Sequence, residues 1–246
     1  MENPDPEYLE KEANLYIEKG DFEKAYALFK KAAEIYEFQG RYKESALCFA
    51  SAACCYNVNI GEKTWCNSAE AYKNAGESSR KAKEFEYASL LYKYAASCYE
   101  RDGDFVNFSD CFYISKDCYR KHLFNSLTLR PKKNFIKFFI LWLGYTISFL
   151  VWGYGERPFR TFFFIIFFIF LFSFLYCFGY INYNGNFITP HFLNSLYLSI
   201  ITFTTVGYGD IVPIGINKFF ASLEAFLGVS IMPIFIVGLS RRYLRI

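Results

Sequence analysis

Thr204-Thr205-Val206-Gly207-Tyr208-Gly209-Asp210 lies between two apolar runs of membrane length, residues 161–181 and 219–239. Each run has 21 residues. As a helix rising about 1.5 Å per residue, each spans roughly 30 Å, the thickness of a hydrocarbon core. Within the seven-residue string two glycines alternate with larger residues. Gly207 and Gly209 accept left-handed dihedrals without a Cβ penalty. A backbone that alternates between the two hands can point successive carbonyls the same way. A Thr/Gly-rich turn between helices is the plain alternative, and a lone Gly-Tyr-Gly would earn no more. Seven such residues in a row between two spans leave that alternative little room.

The string TTVGYGD resembles the signature of the tetrameric potassium channels, whose TVGYG loop is the known example of a filter that replaces the water shell of K⁺ with backbone carbonyls. The resemblance implies that carbonyls of Thr205, Val206, Gly207 and Tyr208 line a filter that runs to Gly209, with the Thr205 hydroxyl at its inner end. Val206 and Tyr208 would pack behind it, with Thr204 and Asp210 as flanking support. It further implies an outer helix over 161–181, a pore helix over 191–204, the filter over 205–210 and an inner helix over 217–240. One filter strand per chain requires three further copies of the chain around a common axis. K⁺ is then the permeant ion, with no other metal and no cofactor.

Pro190 suits the start of the pore helix. The C-terminus of that helix would aim partial negative charge at the cavity. Relatives often carry paired Trp where this chain has Tyr197-Leu198. Tyr197 still offers a hydroxyl, which we expect to bond Asp210; Leu198 cannot. The inner helix carries Gly228, Pro233 and Gly238. Gly228 falls where the family has its hinge glycine, and Pro233 removes a helical hydrogen bond further along. Phe235 is the candidate gate-lining residue. Glu224 is the one acid in a span, an intramembrane carboxylate expected to be hydrogen-bonded behind the pore helix.

Charge divides the chain. Residues 1–125 carry 17 Lys/Arg and 21 Asp/Glu; residues 126–246 carry 10 Lys/Arg against Glu156, Asp210 and Glu224. The first half reads as a soluble acidic domain and the second as a membrane domain with basic flanks. A third apolar stretch, 135–152, contains Lys137, Gly144, Tyr145 and Ser148 near one helical face. The start of the chain is acidic and no apolar stretch follows it, so no signal peptide is expected and residues 1–125 should be cytoplasmic. Arg130, Lys132, Lys133, Arg157, Arg160, Arg241, Arg242 and Arg245 all favour the same side. They share it only if 135–152 returns to the side it entered. We therefore read 126–160 as a basic linker with an interfacial or half-inserted helix at 135–152. An elbow, Trp152-Gly-Tyr-Gly-Glu-Arg-Pro158, would follow it. Both the first domain and the C-terminus would face the cytoplasm.

Residues 5–122 have helical periodicity punctuated at Gly20, Gly40, Gly61, Gly76 and Gly103. The pattern predicts six helices, at 5–19, 21–39, 41–57, 62–75, 82–102 and 104–122, paired as hairpins. Spacings such as Ala32-Ala33-Glu34-Ile35-Tyr36 resemble tetratricopeptide repeats and, more closely, the soluble attachment proteins for membrane-fusion factors. The resemblance implies a curved surface for a cytoplasmic protein, peptide or ligand; a helical spacer or collar fits the pattern equally well. Seven of the eight cysteines lie in this half with no C-x-x-C pair, which reads as buried thiols in a reducing compartment. Cys118 and His122 share a helical face, but no second pair accompanies them for a metal site.

The expected fold is all-α: a solenoid-like hairpin domain followed by a helical pore domain. No nucleotide loop, catalytic triad or paired carboxylate is present, so we expect no enzyme and no nucleic-acid partner. The expected function is passive K⁺ conduction, gated by inner-helix bending and coupled to the first domain. The alternatives are a membrane-tethered helical-repeat adaptor with a vestigial pore, or a non-selective cation channel; Tyr208 argues against the latter.

Overall fold

A computed structural model describes residues 4–58, 64–129, 135–183 and 185–243. The Gly61-Glu62 break, the basic run 130–133 and Arg245 fall outside the described residues. The chain divides into two compact units, Met1–Ile147 and Ser148–Ile246.

The first unit begins with six helices: α1 (Pro6–Glu18), α2 (Phe22–Phe38), α3 (Tyr42–Val58), α4 (Thr64–Lys81), α5 (Phe85–Asp102) and α6 (Phe105–Leu129). Each packs on the next in sequence. One turn recurs between them. Gly20, Gly40, Lys83 and Gly103 take left-handed backbone, with φ of 77, 75, 62 and 81°. The next residue then donates its N–H to the carbonyl five positions back: Asp21 to Tyr16 at 2.9 Å, Arg41 to Tyr36 at 2.9 Å, Glu84 to Ser79 at 3.0 Å and Asp104 to Tyr99 at 3.0 Å. This satisfies the last helical carbonyls and reverses the chain. Asp21 then caps α2 by accepting from the Lys24 amide.

The helices meet through small residues. Ala32, Ala33, Ala52, Ala53, Ala75, Ala88 and Ala95 are fully buried. Ser45 and Ser78 share a buried hydrogen bond at 3.1 Å, and Ser68 Oγ donates to the Ala53 carbonyl at 3.0 Å. Gly76 is not the expected break: α4 runs through it to Lys81. A Cβ there would come within 2.8 Å of the Tyr92 ring. Gly76 is therefore a site of close helix approach, and the reversal falls at Lys83. The sixth helix likewise continues past 122 to Leu129.

Helix α7 (Phe135–Trp152) ends in a 3-10 turn, Gly153–Gly155, in which all three residues have positive φ. α7 is long and apolar enough to cross a membrane, and none of its residues is buried.

The second unit contains α8 (Pro158–Tyr176), α9 (Phe192–Phe203) and α10 (Ile216–Tyr243). It also holds a small sheet absent from the all-α expectation. Strands β1 (Tyr180–Tyr183), β2 (Asn186–Ile188) and β3 (Ile211–Ile214) lie in the order β2-β1-β3, all antiparallel. Ile181, opposite Ile188 and Pro213, is fully buried. It joins Phe172, Tyr176, Leu198, Ile201 and Ile211 in one core. The sheet shortens the outer helix. The run 161–181 was expected to be helical throughout, but α8 stops at Tyr176 and residues 180–181 enter β1. At its other end α8 starts three residues early because Pro158 serves as its first residue.

Candidate functional site

The site is built on the C-terminal end of α9. Thr204 closes the helix and its hydroxyl donates back to the Ile200 carbonyl at 2.7 Å. Beyond it every second residue turns left-handed: Thr205 at φ 60°, Gly207 at 52° and Gly209 at 81°. Two of these are glycines. Thr205 has a branched side chain and bears a conformational cost of about 1–3 kcal/mol.

Hydrogen bonds fix which way this segment faces. The Thr205 amide donates to the Thr202 carbonyl at 3.1 Å. The amides of Val206 and Gly207 both donate to the Ile201 carbonyl, at 3.0 and 3.2 Å. In a trans peptide the C=O points opposite to the N–H that follows it. With three consecutive amides turned in toward the helix end, the carbonyls of Thr204, Thr205 and Val206 point out, away from it. The side chains of Val206 and Tyr208 are exposed in the single chain.

Tyr197 Oη, on α9, donates to Asp210 Oδ2 at 2.8 Å and so ties the far end of the segment to the helix. The Asp210 carboxylate raises the Tyr197 phenol above its ordinary pKa. Glu224 is fully buried, and α8, α9 and α10 converge on it. Tyr176 Oη donates to Glu224 Oε2 at 2.5 Å, and Ser199 Oγ is hydrogen-bonded to Glu224 Oε1.

Gly228 is in tight contact with the end of α9. A Cβ there would overlap the Phe203 carbonyl oxygen and lie 2.9 Å from its carbonyl carbon. A bend-permitting glycine was expected; the structure adds a second requirement, close approach of α10 to the backbone that launches the string. Pro233 lies inside α10. The Phe235 ring stacks on Phe162 of α8 with centroids 6.3 Å apart, so this side chain is directed at the outer helix. Gly238 packs on Pro158 at 3.5 Å.

Sequence reasoning missed a second anchor. Asn217, fully buried at the start of α10, donates through Nδ2 to the carbonyls of Tyr176 at 3.0 Å and Tyr180 at 3.3 Å. Its carboxamide lies flat on Gly179, where any Cβ would collide with it. Ser199 and Tyr176 were missed as well. The one available signal was a polar residue inside an otherwise apolar run.

Residues 161–245 match the family model Ion_trans_2, described as an ion channel. That segment is similar to ion-channel domains, and with three helices among the described residues long and apolar enough to cross a bilayer the chain is a membrane protein. Two curated proteins are similar over a short stretch. Protein LctB of Geobacillus stearothermophilus is 54% identical over 44 residues, and Protein LctB of Bacillus caldotenax is 52% identical over 44 residues. Each alignment covers 18% of this chain and 32% of the relative, so the chain spans about a third of the length of the curated relatives it matches. No solved structure matches the chain.

In the first unit, Cys48, Cys55, Cys98, Cys111 and Cys118 are buried as expected, whereas Cys66 is half-buried and Cys54 is exposed. Burial pushes the Cys111 thiol up to about 12 and those of Cys55 and Cys118 to about 11. Such thiols stay protonated and inert at neutral pH. Cys118 is in the core, while His122 Nδ1 lies 3.7 Å from Glu86 Oε2. Among the described residues no three His, Cys, Asp or Glu side chains gather as metal ligands.

Proposed function

We propose that the chain is one subunit of a potassium-selective channel, with four copies bringing residues 205–209 together around one axis. The observation that carries this reading is the regular alternation of left-handed residues at 205, 207 and 209. It occurs in the TTVGYGD string, with the amides of 205–207 turned in and the preceding carbonyls turned out. Four such strands would offer stacked rings of carbonyl oxygens, the chemistry that substitutes for water around K⁺. Val206 and Tyr208, exposed in the single chain, would be covered by neighbouring copies.

Conduction is passive. The α9 C-terminus directs partial negative charge toward the ion path. Tyr197, Asp210, Thr204 and Glu224 hold the segment from behind. Opening bends α10 at Gly228 and Pro233, and Phe235, stacked on the outer helix, moves with that bend. The hairpin domain and the C-terminus are cytoplasmic, and the hairpin domain couples a protein, peptide or ligand to the gate.

The test is flux. Purified protein in liposomes should pass K⁺, and bi-ionic reversal potentials should favour K⁺ over Na⁺. Absence of a preference, or failure to form a fourfold complex, overturns the reading. For the coupling, removal of residues 1–122 should change open probability; an unchanged value removes the gating role.

A further inference from the structure

The last turns of α10 lie against the elbow that precedes α8. Three contacts join them, and they run in register along both segments. The Phe235 ring stacks on Phe162. A Cβ on Gly238 would meet Pro158 Cβ at 3.5 Å and the Gly155 carbonyl oxygen at 3.9 Å. A Cβ on Gly155 would meet the Arg241 guanidinium at 3.4 Å. Residues 235, 238 and 241 are each three apart, so they share one helical face. Their partners step back from 162 through 158 to 155.

Gly238 sets how closely the two backbones approach. Its missing side chain leaves a notch, which Pro158 and the Gly155 carbonyl fill. One carbon fits there at ordinary contact distance, and a longer side chain aimed at Pro158 does not. Gly155, with φ of 88°, takes the left-handed backbone that suits glycine and passes beneath Arg241.

The elbow is stiff. Gly153, Tyr154 and Gly155 are left-handed in succession, with φ of 54, 60 and 88°. A tyrosine keeps such a backbone only where its surroundings fix it. Here Tyr154 is buried, and its ring lies 6.1 Å from that of Phe149. Glu156 and Pro158 are buried as well, and the Glu156 amide closes the turn on the Gly153 carbonyl at 3.1 Å. The first turn of α8 reaches back across the bend. Arg160 Nη1 donates to the Phe149 carbonyl at 3.2 Å while its guanidinium covers the Phe149 ring. Thr161 Oγ1 donates to the Val151 carbonyl at 3.2 Å. These bonds serve carbonyls at the end of the preceding helix and clamp residues 149–161 into one body.

α10 is the opposite case. Pro233 lacks the amide that would bond to residue 229, so the segment beyond it can pivot. The contacts at 235, 238 and 241 oppose that pivot. We propose that the elbow is the seat of the gate. Gly155, Pro158 and Gly238 are positioning residues that hold the end of α10 in one place, and the bend that switches the channel lifts α10 off them. This rests on the channel reading for its consequence. A stiff seat facing a hinged helix gives two discrete positions, seated and unseated, and whatever shifts the elbow biases the pair.

The experiment uses the full-length chain carrying Pro158→Cys and Gly238→Cys together. The 3.5 Å between the two Cβ positions lies within the ~3.5–4.5 Å that a disulfide bridges. On mild oxidation the bridge should form within one chain, so the non-reduced protein runs as a single chain on a denaturing gel while the two added thiols disappear. In single-channel recordings the oxidised double variant should cease its transitions between open and closed levels, and reductant should restore them. Oxidation should not stop the transitions of wild type or of either single variant. Gly238→Leu fills the notch without a bridge and should shift the fraction of time open relative to Gly238→Ala. Transitions that continue with the bridge formed overturn the seat. So does a bridge that fails to form or that joins two copies, arrest of a single variant by oxidation, or equal open fractions for Gly238→Leu and Gly238→Ala. An intrachain bridge in a protein whose wild type passes no K⁺ sinks the channel reading and leaves the contact of elbow and α10 standing.

Discussion

Gly228 and the Phe203 carbonyl are so close that the glycine Cα occupies space no other residue's Cβ could share. The inner helix therefore meets the end of α9 backbone to backbone, at the last residue before the left-handed string. Gly228→Ala should lower the stability of the purified protein by about 1–3 kcal/mol, the usual cost of overpacking. The partner atom is main chain and cannot swing aside. Gly238→Ala is the control. Its Cβ would meet Pro158 at an ordinary 3.5 Å, and alanine gains about 1 kcal/mol of helix propensity over glycine. Thermal melts in detergent should therefore separate the two, with Gly228→Ala lower and Gly238→Ala at or above wild type. Equal shifts would refute the close-approach role.

Asn217 fastens the start of α10 to the end of α8 and the first residue of β1. Its Nδ2 serves two carbonyls, those of Tyr176 and Tyr180. Asn217→Leu removes the side-chain donor from both; the Tyr176 carbonyl keeps the Gly179 amide at 3.2 Å, so the cost should be about 1–3 kcal/mol in all. Asn217→Asp is worse, because it faces the same carbonyls with acceptors only. Melting temperature should fall in the order wild type, Leu, Asp. A stable aspartate variant would mean that Asn217 does not anchor the start of α10.

Tyr197→Phe removes the hydroxyl that ties Asp210 to α9. Asp210→Asn keeps an acceptor and should be the milder change. On the channel reading, Tyr197→Phe shortens the time for which the filter stays conductive after opening, without altering the ratio of K⁺ to Na⁺ permeability. Single-channel recordings distinguish these two parameters. A change in selectivity with unaltered open times would assign Tyr197 a different job.

Lys83 takes the left-handed position that glycine holds at 20, 40 and 103. A left-handed L-residue costs about 1–2 kcal/mol, of which the greater freedom of glycine in the unfolded chain returns about half. Lys83→Gly should then stabilise the α4–α5 hairpin by about 0.5–1 kcal/mol, the balance of those two costs. Slower hydrogen exchange at the ends of α4 and α5 is the expected readout. Faster exchange would show that the turn draws on the lysine side chain.

Periodicity carried most of the helices, because apolar residues at helical spacing record which face is buried. It failed where one residue can serve two purposes. Gly76 looks like a breaker, yet it is where α4 admits the Tyr92 ring, and a single sequence cannot separate a glycine needed for φ from one needed for space. The small sheet escaped because its strands are three or four residues long and β1 continues an apolar helical run. Its one signal was Asn184-Gly185 between residues of high strand propensity. In the string itself Gly207 and Gly209 announced their backbone. Thr205 did not, since its left-handed φ is imposed by the bonds of the following amides to Ile201. The hydrogen bonds of Glu224 to Tyr176 and Ser199 join three helices, and nothing in the spacing of those residues along the chain records that meeting.

Cys54 is the exposed thiol of the hairpin array, 3.4 Å from Tyr72 Oη, while Cys48, Cys55, Cys111 and Cys118 are buried. A membrane-impermeant maleimide should therefore label Cys54 first in the folded protein. In intact cells that labelling should wait for permeabilisation if the first domain is cytoplasmic. Prompt labelling from outside would place the domain on the other face and make residues 135–152 a true span. The buried thiols respond to pH in a definite direction. Unfolded, they ionise near 9.0; folded, burial holds Cys111 protonated up to about 12. The unfolded chain thus loses protons first as pH rises. The stability these thiols contribute is complete below 9.0 and declines through the interval up to about 12. Labelling of Cys111 should rise steeply within that interval, together with loss of helical signal. Labelling at neutral pH without loss of helicity would contradict the burial on which the expectation stands.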